Sequence, residues 1–395
     1  MSTATQTKTA FFQLETQLHS GIGASAVLID ILANEAVQSP LIIVDEGVKA
    51  HSSYFAQFFE SIQSKYPGLH LIETQGQFEP TYDYLDEVLA TARSYTVDFV
   101  IGIGGGSCLD ITKAVAALLT NPGNPRDYRG FDKLSRPAVP CAAIPTTAGT
   151  GSEVTINASF VDTDTKFKMG VNGRYMNARY AILDAKWLES CPRSVEVSAG
   201  IDALVHAVEG YICNKANVVT QYYSKEGVRI LMDNLNCIVE DPKNLEKKQS
   251  LLLGSYVAAI GMFNSGSGLA AVLSYPTGVH YLVPHGICGG IFLASAIDFN
   301  IQRGYTQGYA ELFDAIEPRN NASTQEEKAK GFLKRIQDLS DLLEIPKTLN
   351  HWGIHSANVA DLAKEMIPMQ GGFDQNPVPF DAEKDSLEIL KKHVD

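Results

Sequence analysis

A run of glycines between an apolar segment and a helix-like segment constrains this chain more than any other feature. Residues 99–113 read FVIGIGGGSCLDITK, which predicts a buried strand, a tight turn and then a helix. Glycines at 104–106 let the backbone approach a ligand closely, and the start of the helix offers unpaired N–H groups to a phosphate. Ser107 can cap that helix and also donate to a phosphate oxygen. A tight turn without a ligand explains the same residues, and the spacing is not the GxGxxG fingerprint of an ordinary Rossmann enzyme.

The first half of the chain alternates strand-like and helix-like segments. Its apolar runs are Leu41–Val44, His70–Glu73, Asp98–Ile103, Cys141–Ile144 and Ala181–Asp184. Helix-length segments separate these runs, which predicts an α/β fold around a parallel sheet. After about residue 190 the periodicity is helical, in Val195–Tyr211, Thr220–Asn234, Leu245–Met262 and Gln325–Leu343.

These patterns predict two domains in the 395 residues, a length that exceeds one ordinary core. The first is a Rossmann-like, dinucleotide-binding α/β domain over residues 1–192. The second is an all-helical, metal-binding domain over residues 193–395. The cleft between two such domains is the default place for chemistry.

Composition excludes several classes of function. The net charge of -13 argues against general affinity for nucleic acid or an anionic membrane. No segment is apolar for long enough to span a membrane, and the N-terminal MSTATQTKTAFFQLETQ lacks the pattern of a secretory signal. The six cysteines form no CxxC pair, which favours reduced, mostly buried thiols and a cytoplasmic location.

Two further segments of the first half can bind a ligand at the end of a strand. Asp45 closes its strand, where a carboxylate can hold a ribose hydroxyl and repel a 2′-phosphate, although a turn residue looks the same. Residues 144–155 read IPTTAGTGSEVT, a loop dense in hydroxyls and glycines directly after a strand. A polar loop without function has a similar composition, but Pro145 fixes the direction in which the chain leaves the strand.

A metal site is predicted in the second half. Asp202 and His206 lie four residues apart on a predicted helix, so both project from one face and can bind one divalent cation. The flanking residues are apolar, and a buried aspartate needs a partner or a metal. His285, in a Pro–His–Gly sequence, joins them only if the fold brings it close. His280 is a further candidate of lower rank, because five residues separate it from His285.

Together these segments resemble the group III, or iron-containing, alcohol dehydrogenases across nearly the whole chain. The family's GGGSxxDxxK motif stands here as Gly104–Lys113 and includes Asp110. Its PTTAGTGSEvT motif stands as Pro145–Thr155, and its GxDALxHAxE motif stands as Gly200–Glu209. The histidine-rich metal motif is represented by Gly268–Gly286. Three long motifs in the right order make a chance match very improbable.

The resemblance implies a nicotinamide dinucleotide, NAD(P), and a divalent metal, iron or zinc. It implies cofactor phosphates at Gly105, Gly106 and Ser107 and the adenosine ribose near Asp45. Gly104 and Asp110 are the other cofactor-binding residues that it implies in this motif. Thr146, Thr147 and Thr150 would line the nicotinamide end of the cofactor. The metal ligands would be Asp202, His206 and His285. A homodimer is also implied.

The chain departs from the family pattern at two histidines. Aligning on Pro284–His285–Gly286 places Ala271 where the family has a metal ligand, and Tyr275 where it has a histidine near the substrate. Three protein ligands and water still make a workable open site, with weaker affinity and a different preferred metal. His280 replaces the missing metal ligand if the local backbone shifts. Tyr275 can orient the substrate or pass a proton.

The implied reaction is oxidation of a primary alcohol of a small polar substrate to the aldehyde, with hydride passing to the nicotinamide. The overall sequence is similar to a branch acting on sugar acids, so the specific expectation is the C8 alcohol of 3-deoxy-octulosonate (Kdo), for lipopolysaccharide sugar modification. The enzyme is either a dehydrogenase or an oxidase that holds its nicotinamide tightly or uses another electron acceptor, so a requirement for added NAD does not follow. An NAD-dependent dehydrogenase or reductase for a short-chain alcohol or aldehyde is the alternative. Different classes are a lyase or cyclase similar to dehydroquinate synthase, and a nucleotide-binding relative without catalysis.

Overall fold

The computed structural model describes residues 12–75, 79–165, 167–322 and 324–395. Most of the N-terminal stretch that we searched for a secretory signal therefore lies outside the described residues. Within the described part of the chain, no helix combines the length and the apolarity that crossing a bilayer requires. All six cysteines are unpaired thiols, and five of them are buried, as the sequence predicts.

A six-stranded parallel sheet forms the centre of the first domain. Its strands are β1 (Gln17–Ser20), β2 (Pro40–Asp45), β3 (His70–Thr74), β4 (Phe99–Gly104), β5 (Cys141–Pro145) and β6 (Tyr180–Leu183). The spatial order is β1-β6-β5-β4-β2-β3. The sequence predicts five of these strands to within a few residues. It does not predict the edge strand β1, which is short and largely exposed.

The strand order creates a switch point between β2 and β4. From β2 the chain moves outward to β3, and it then returns to the other side of β2 as β4. The connections on the two sides of a switch point diverge, which opens a crevice at the carboxyl ends of the strands where ligands bind. Asp45 and Gly104 end the two strands that flank this crevice.

Helices cover both faces of the sheet, which explains why its central strands are continuous apolar runs. These helices are α1 (Leu28–Asn34), α2 (Glu46–His51), α3 (Ser53–Gln63), α4 (Tyr82–Arg93) and α5 (Gly106–Thr120). Very short strands follow at Gly130–Phe131, Asn157–Ala158, Val161–Asp162, Phe167–Lys168 and Val171–Asn172. The sequence does not predict these two-residue strands, because they are too short to show a periodicity.

The second domain is helical, as predicted. It contains α6 (Arg193–Ile212), α7 (Val218–Asn234), α8 (Cys237–Glu240), α9 (Leu245–Phe263), α10 (Leu269–Tyr281), α11 (His285–Gln302), α12 (Gln307–Ile316), α13 (Gln325–Leu342), α14 (Val359–Lys364), α15 (Gln370–Phe373) and α16 (Lys384–Lys391). Helix α6 packs against α7, α9 and α11, so it is buried on nearly every side. A helix in that position is apolar all round, and its few polar side chains need partners.

The two domains are joined by direct backbone and side-chain contacts. Gln249 on α9 donates to the Leu183 carbonyl at 2.9 Å and accepts from the Ala185 N–H at 3.0 Å. The loop after β5 packs on α6 so closely that a Cβ at Gly149 would lie 2.7 Å from the Cα of Ala199. This contact sets the end of the sheet against the part of α6 that carries Asp202.

Candidate metal and dinucleotide site

Three of the predicted ligands come together on two helices. Asp202 and His206 lie one turn apart on α6, and His285 is the first residue of α11. The His206 Nε2 lies 3.6 Å from Asp202 Oδ1, and the His285 Nε2 lies 3.8 Å from the same oxygen. One donor atom from each residue lies within 4.8 Å of the others. The sequence places the first two together, and the fold adds the third.

A glycine allows His285 to approach α6. A Cβ at Gly286 would lie 2.0 Å from the Ser198 carbonyl oxygen and 3.0 Å from the Asp202 Cβ. Any other residue would have to push α11 away from α6. The glycine after His285 is therefore required by the close contact between the two helices that hold the cluster.

The chemistry of the donor set fits a divalent transition metal. Two imidazoles and one carboxylate with open positions suit iron or zinc. The Nδ1 of His206 is buried and has no hydrogen-bond partner among the described residues. Burial, reinforced by the positive charge of Lys168, lowers the pKa of His285, so its imidazole is neutral and can act as a ligand at neutral pH. These three residues could hold the metal.

The structure does not bring His280 to this cluster. His280 lies near the exposed end of α10, and its Nε2 is 3.7 Å from a carboxylate oxygen of Glu365. The helix continues through Pro276 to Tyr281, so the backbone shift that would turn His280 inward does not occur. His280 therefore leaves the candidate ligand set, which comprises three protein residues.

Helix α10 faces the cluster with Tyr275. The Tyr275 ring stacks on the His285 ring, with the centroids 5.3 Å apart and an angle of 27° between the planes. Burial raises the pKa of Tyr275, although the nearby charge of Lys168 opposes the shift. The phenol is therefore protonated at neutral pH and can donate a hydrogen bond, but it is not a base.

The carboxylate of Glu209 anchors the start of α10. Glu209 lies on α6, one turn beyond His206, and is buried. Its two oxygens accept from the N–H groups of Gly268 at 2.9 Å, Ala270 at 2.6 Å and Ala271 at 3.1 Å. A carboxylate at a helix N-terminus satisfies donors that have no partner within the helix. Glu209 thus fixes α10 against the helix that carries two of the ligands.

Two charged residues near the cluster were not predicted from the sequence. Lys168, on a two-residue strand of the first domain, forms an ion pair with Glu79 at 2.8 Å. Its ammonium lies 5.4 Å from the centre of the Tyr275 ring on the opposite side of the cleft. Neither residue lies in a recognisable motif, and only the folded chain brings them to Tyr275.

The glycine turn lies at the switch point, and one detail of its prediction is wrong. Helix α5 begins at Gly106, and its N-cap is Gly105 rather than Ser107. Ser107 lies within the first turn, so it cannot cap the helix. Gly105, Gly106 and Ser107 are each partly exposed. Their N–H groups belong to the helix end that has no internal acceptors, which suits a phosphate.

The loop after β5 lies directly against the glycine turn. The Thr146 N–H donates to the Gly104 carbonyl at 3.0 Å. A Cβ at Gly105 would lie 3.5 Å from the Thr147 Oγ1, and a Cβ at Gly106 would lie 2.6 Å from the Thr150 Cγ2. The three predicted threonines are therefore adjacent to the predicted phosphate-binding glycines.

Asp110, which the family resemblance places among the cofactor-binding residues, is held by partners within the protein. Its carboxylate accepts from the Ser152 hydroxyl and from the Ser159 N–H, the latter at 2.7 Å, and lies 3.6 Å from the Lys113 ammonium. All of these partners belong to the protein. Asp110 ties α5 to the threonine-rich loop and positions that loop beside the glycine turn.

Asp45 caps a helix at the other side of the crevice. Its Oδ1 accepts from the N–H of Gly47 at 2.9 Å and from that of Val48 at 3.2 Å. Asp45 therefore has a local structural role as a helix cap, which differs from the turn residue that we considered. The same position, at the carboxyl end of β2 beside the switch point, is also where a ribose-binding acid is placed in dinucleotide-binding folds.

This arrangement defines a class of protein. A glycine turn at the switch point of a parallel sheet lies against a loop that packs on a helical domain, and this domain carries a cluster of two histidines and an aspartate. Oxidoreductases that combine a dinucleotide with a metal have these parts.

Comparison with known proteins identifies the family. The model "Iron-containing alcohol dehydrogenase" matches residues 15–185, and the model "Fe-containing alcohol dehydrogenase family, C-terminal" matches residues 196–394. The chain belongs to the iron-containing alcohol dehydrogenase family, and it is an oxidoreductase that acts on CH–OH groups. This result sets aside the lyase or cyclase and the non-catalytic relative.

Individual relatives show the range of the family. Long-chain-alcohol dehydrogenase 1 of Geobacillus thermodenitrificans is 31% identical over 76% of this chain and 76% of its own length. Lactaldehyde reductase of Escherichia coli is 28% identical over 88% of this chain and 90% of its own. The crystal structure of sulfoacetaldehyde reductase from Bifidobacterium kashiwanohense in complex with NAD+ has the same fold, with a TM-score of 0.83 and 21% identity, over 98% of this chain and 99% of that one.

Proposed function

We propose that this chain oxidises a primary alcohol of a small polar substrate to the aldehyde, using a divalent metal and NAD(P). The observation that carries the proposal is the cluster of Asp202, His206 and His285, whose donor atoms lie within 4.8 Å of one another. The metal would be iron or zinc, held by these three residues. The dinucleotide would lie along Gly104–Ser107 and Thr146–Thr150.

The chain's own residues supply binding and orientation. When bound, the metal supplies a Lewis acid to the substrate oxygen and the nicotinamide supplies a hydride acceptor. Tyr275 provides a protonated phenol beside His285 that can orient the substrate by donating a hydrogen bond. The contacts between the loop after β5 and α6 hold the two domains together, so that the reacting groups are kept close.

The more specific proposal concerns the substrate. We propose the C8 primary alcohol of Kdo, in lipopolysaccharide sugar modification, because the overall sequence is similar to a branch acting on sugar acids. Ala271 and Tyr275, which replace two histidines of the family pattern, are consistent with an unusual substrate.

The alternative is an NAD-dependent dehydrogenase or reductase for a short-chain alcohol or aldehyde. The name of one relative, a lactaldehyde reductase, supports a short-chain substrate. A cytoplasmic homodimer is the assembly and location that we propose on the basis of the family resemblance. Light scattering on the purified protein measures the assembly directly.

The test begins with the metal. Elemental analysis of gently purified protein should give about one iron or zinc per chain. The Asp202→Ala variant should lose this metal. Absence of metal from the wild type, even after reconstitution, contradicts the proposal. Kdo is then compared with short-chain diols and aldehydes, with NAD, with NADP and without added cofactor. Reduction of NAD identifies a dehydrogenase, whereas oxygen uptake and peroxide formation with Kdo alone identify an oxidase. Turnover of short-chain substrates but not of Kdo favours the alternative.

A further inference from the structure

Ser274 on α10 makes two contacts that determine how His285 is held. Ser274 is fully buried. Its Oγ lies 2.6 Å from the Ala271 carbonyl oxygen and 3.1 Å from the Nδ1 of His285. The Nε2 on the opposite side of the same imidazole lies 3.8 Å from Asp202 Oδ1.

The hydroxyl has one proton, and this decides the direction of the second contact. The Ala271 carbonyl can only accept, so the Ser274 proton is donated to it. The Ser274 oxygen then has lone pairs but no proton for His285, and it can only accept from Nδ1–H. A neutral imidazole that is protonated on Nδ1 has its free lone pair on Nε2, which is the nitrogen that faces Asp202.

We propose that Ser274 is a positioning residue for the metal site, fixing both the tautomer and the rotation of His285 so that the Nε2 lone pair points into the cluster. The inference rests on the proposed metal-dependent function, but it concerns the protein before substrate binds. Outer hydrogen bonds of this kind orient the histidines that bind metals.

The two ring-holding contacts come from consecutive residues. Ser274 holds the edge of the His285 ring, and Tyr275 stacks on its face. Helix α10 thus supports the ligand of a neighbouring helix without adding a donor to the cluster. His206 has no such support, because its Nδ1 lacks a partner among the residues described. His285 is therefore the preorganised histidine of the pair.

The first experiment uses the wild-type chain without metal. Nitrogen-15 NMR of histidine-labelled, metal-free protein should show His285 neutral with its proton on Nδ1. A proton on Nε2 overturns the proposal, whatever happens in any variant. Because no substrate is present, this outcome is separate from any failure of alcohol oxidation.

The second experiment compares two variants of α10. Ser274→Ala should weaken Zn²⁺ binding by about 10- to 100-fold, measured by competition with a chromophoric chelator, and should let His285 populate both tautomers. Thr277→Val is the matched control, since the Thr277 hydroxyl is also buried and donates to a carbonyl of its own helix, Leu273 at 2.7 Å, without touching His285. Equal Zn²⁺ affinity in the two folded variants would show that Ser274 only packs.

Discussion

Burial determines the protonation of the side chains around the cleft. It lowers the pKa of His285, raises that of Tyr275, and raises that of Glu209 to about 7. In each case burial favours the neutral form of the group, although for Glu209 the three N–H donors of α10 oppose the shift. For His285 this is the form that binds a metal, and for Tyr275 it is the form that donates a hydrogen bond.

Removing either histidine of the cluster should abolish metal binding and turnover. His285→Ala and His206→Ala each leave two protein donors, and loss of a ligand should cost at least the roughly 100-fold that loss of an outer partner can cost. Elemental analysis and steady-state kinetics measure the effect. His280→Ala is the control, because His280 is outside the cluster. Normal activity in both cluster variants contradicts the metal mechanism.

Glu209 should make the protein less stable as the pH rises. Its folded pKa of about 7 exceeds the ordinary 4.5, so the folded state holds the proton more tightly than the unfolded state. Its contribution to stability is present below pH 4.5 and is lost as the pH rises through 7. The free energy of unfolding of Glu209→Gln, relative to that of the wild type, should therefore increase as the pH rises from 5 to 8. Urea denaturation at each pH measures this difference. Glu326→Gln, at an exposed position, should keep the wild-type dependence.

At the scale of elements, the contact between α6 and α11 depends on the absence of one Cβ. Gly286→Ala should destabilise the protein by about 1–3 kcal/mol, because the obstacle is the rigid Ser198 carbonyl. It should also weaken metal binding by moving His285 away from Asp202. Gly289→Ala, on the same helix, is the control, since its Cβ would meet Val205 at an ordinary 3.4 Å. Thermal unfolding and chelator competition would show the difference, and equal behaviour of the two variants would refute the role of this contact.

The elements most accurately predicted from the sequence are those with long, regular periodicity. Helices α6, α7, α9 and α13 and strands β2 to β6 differ from the prediction by one or two residues at their ends. Prediction failed for the edge strand β1 and for the two-residue strands, because their pairing depends on distant partners. It also placed the cap of α5 two residues too late, since the N-cap there is a glycine without a side chain to recognise.

The residues of the candidate site also fall into a group that the sequence predicts and a group that only the fold reveals. Asp202 and His206 are predicted by spacing on one helix, whereas the addition of His285 needs the packing of α11 on α6. Some contacts join separate elements, such as those of Ser274 with His285 and of Lys168 with Tyr275. The periodicity of the sequence does not predict such contacts. The internal role of Asp110 is likewise visible only when its partners on the neighbouring loop are known.

At the scale of the whole molecule, cofactor binding should stabilise the folded chain by mass action. A ligand at 100 times its Kd adds about 2.7 kcal/mol to the free energy of unfolding. NAD should raise the melting temperature more than NADP, because the Asp45 carboxylate beside the switch point repels a 2′-phosphate. Asp45→Asn retains an oxygen for the cap but removes the charge, so it should narrow the difference between the two cofactors. A larger shift with NADP in the wild type contradicts the assigned role of Asp45.

The pairing of β1 with β6 has a consequence for how the protein is made. Gln17 lies opposite Tyr180, so β1 cannot pair until the chain has been made as far as β6. Contacts so distant in sequence form slowly, since the intervening chain must be ordered first. Until β1 pairs with it, β6 is an open sheet edge, and such edges are prone to aggregate. Synthesis of this chain should therefore depend on chaperones more than its final fold suggests, and truncation after residue 179 should leave a nascent domain that cannot close its sheet.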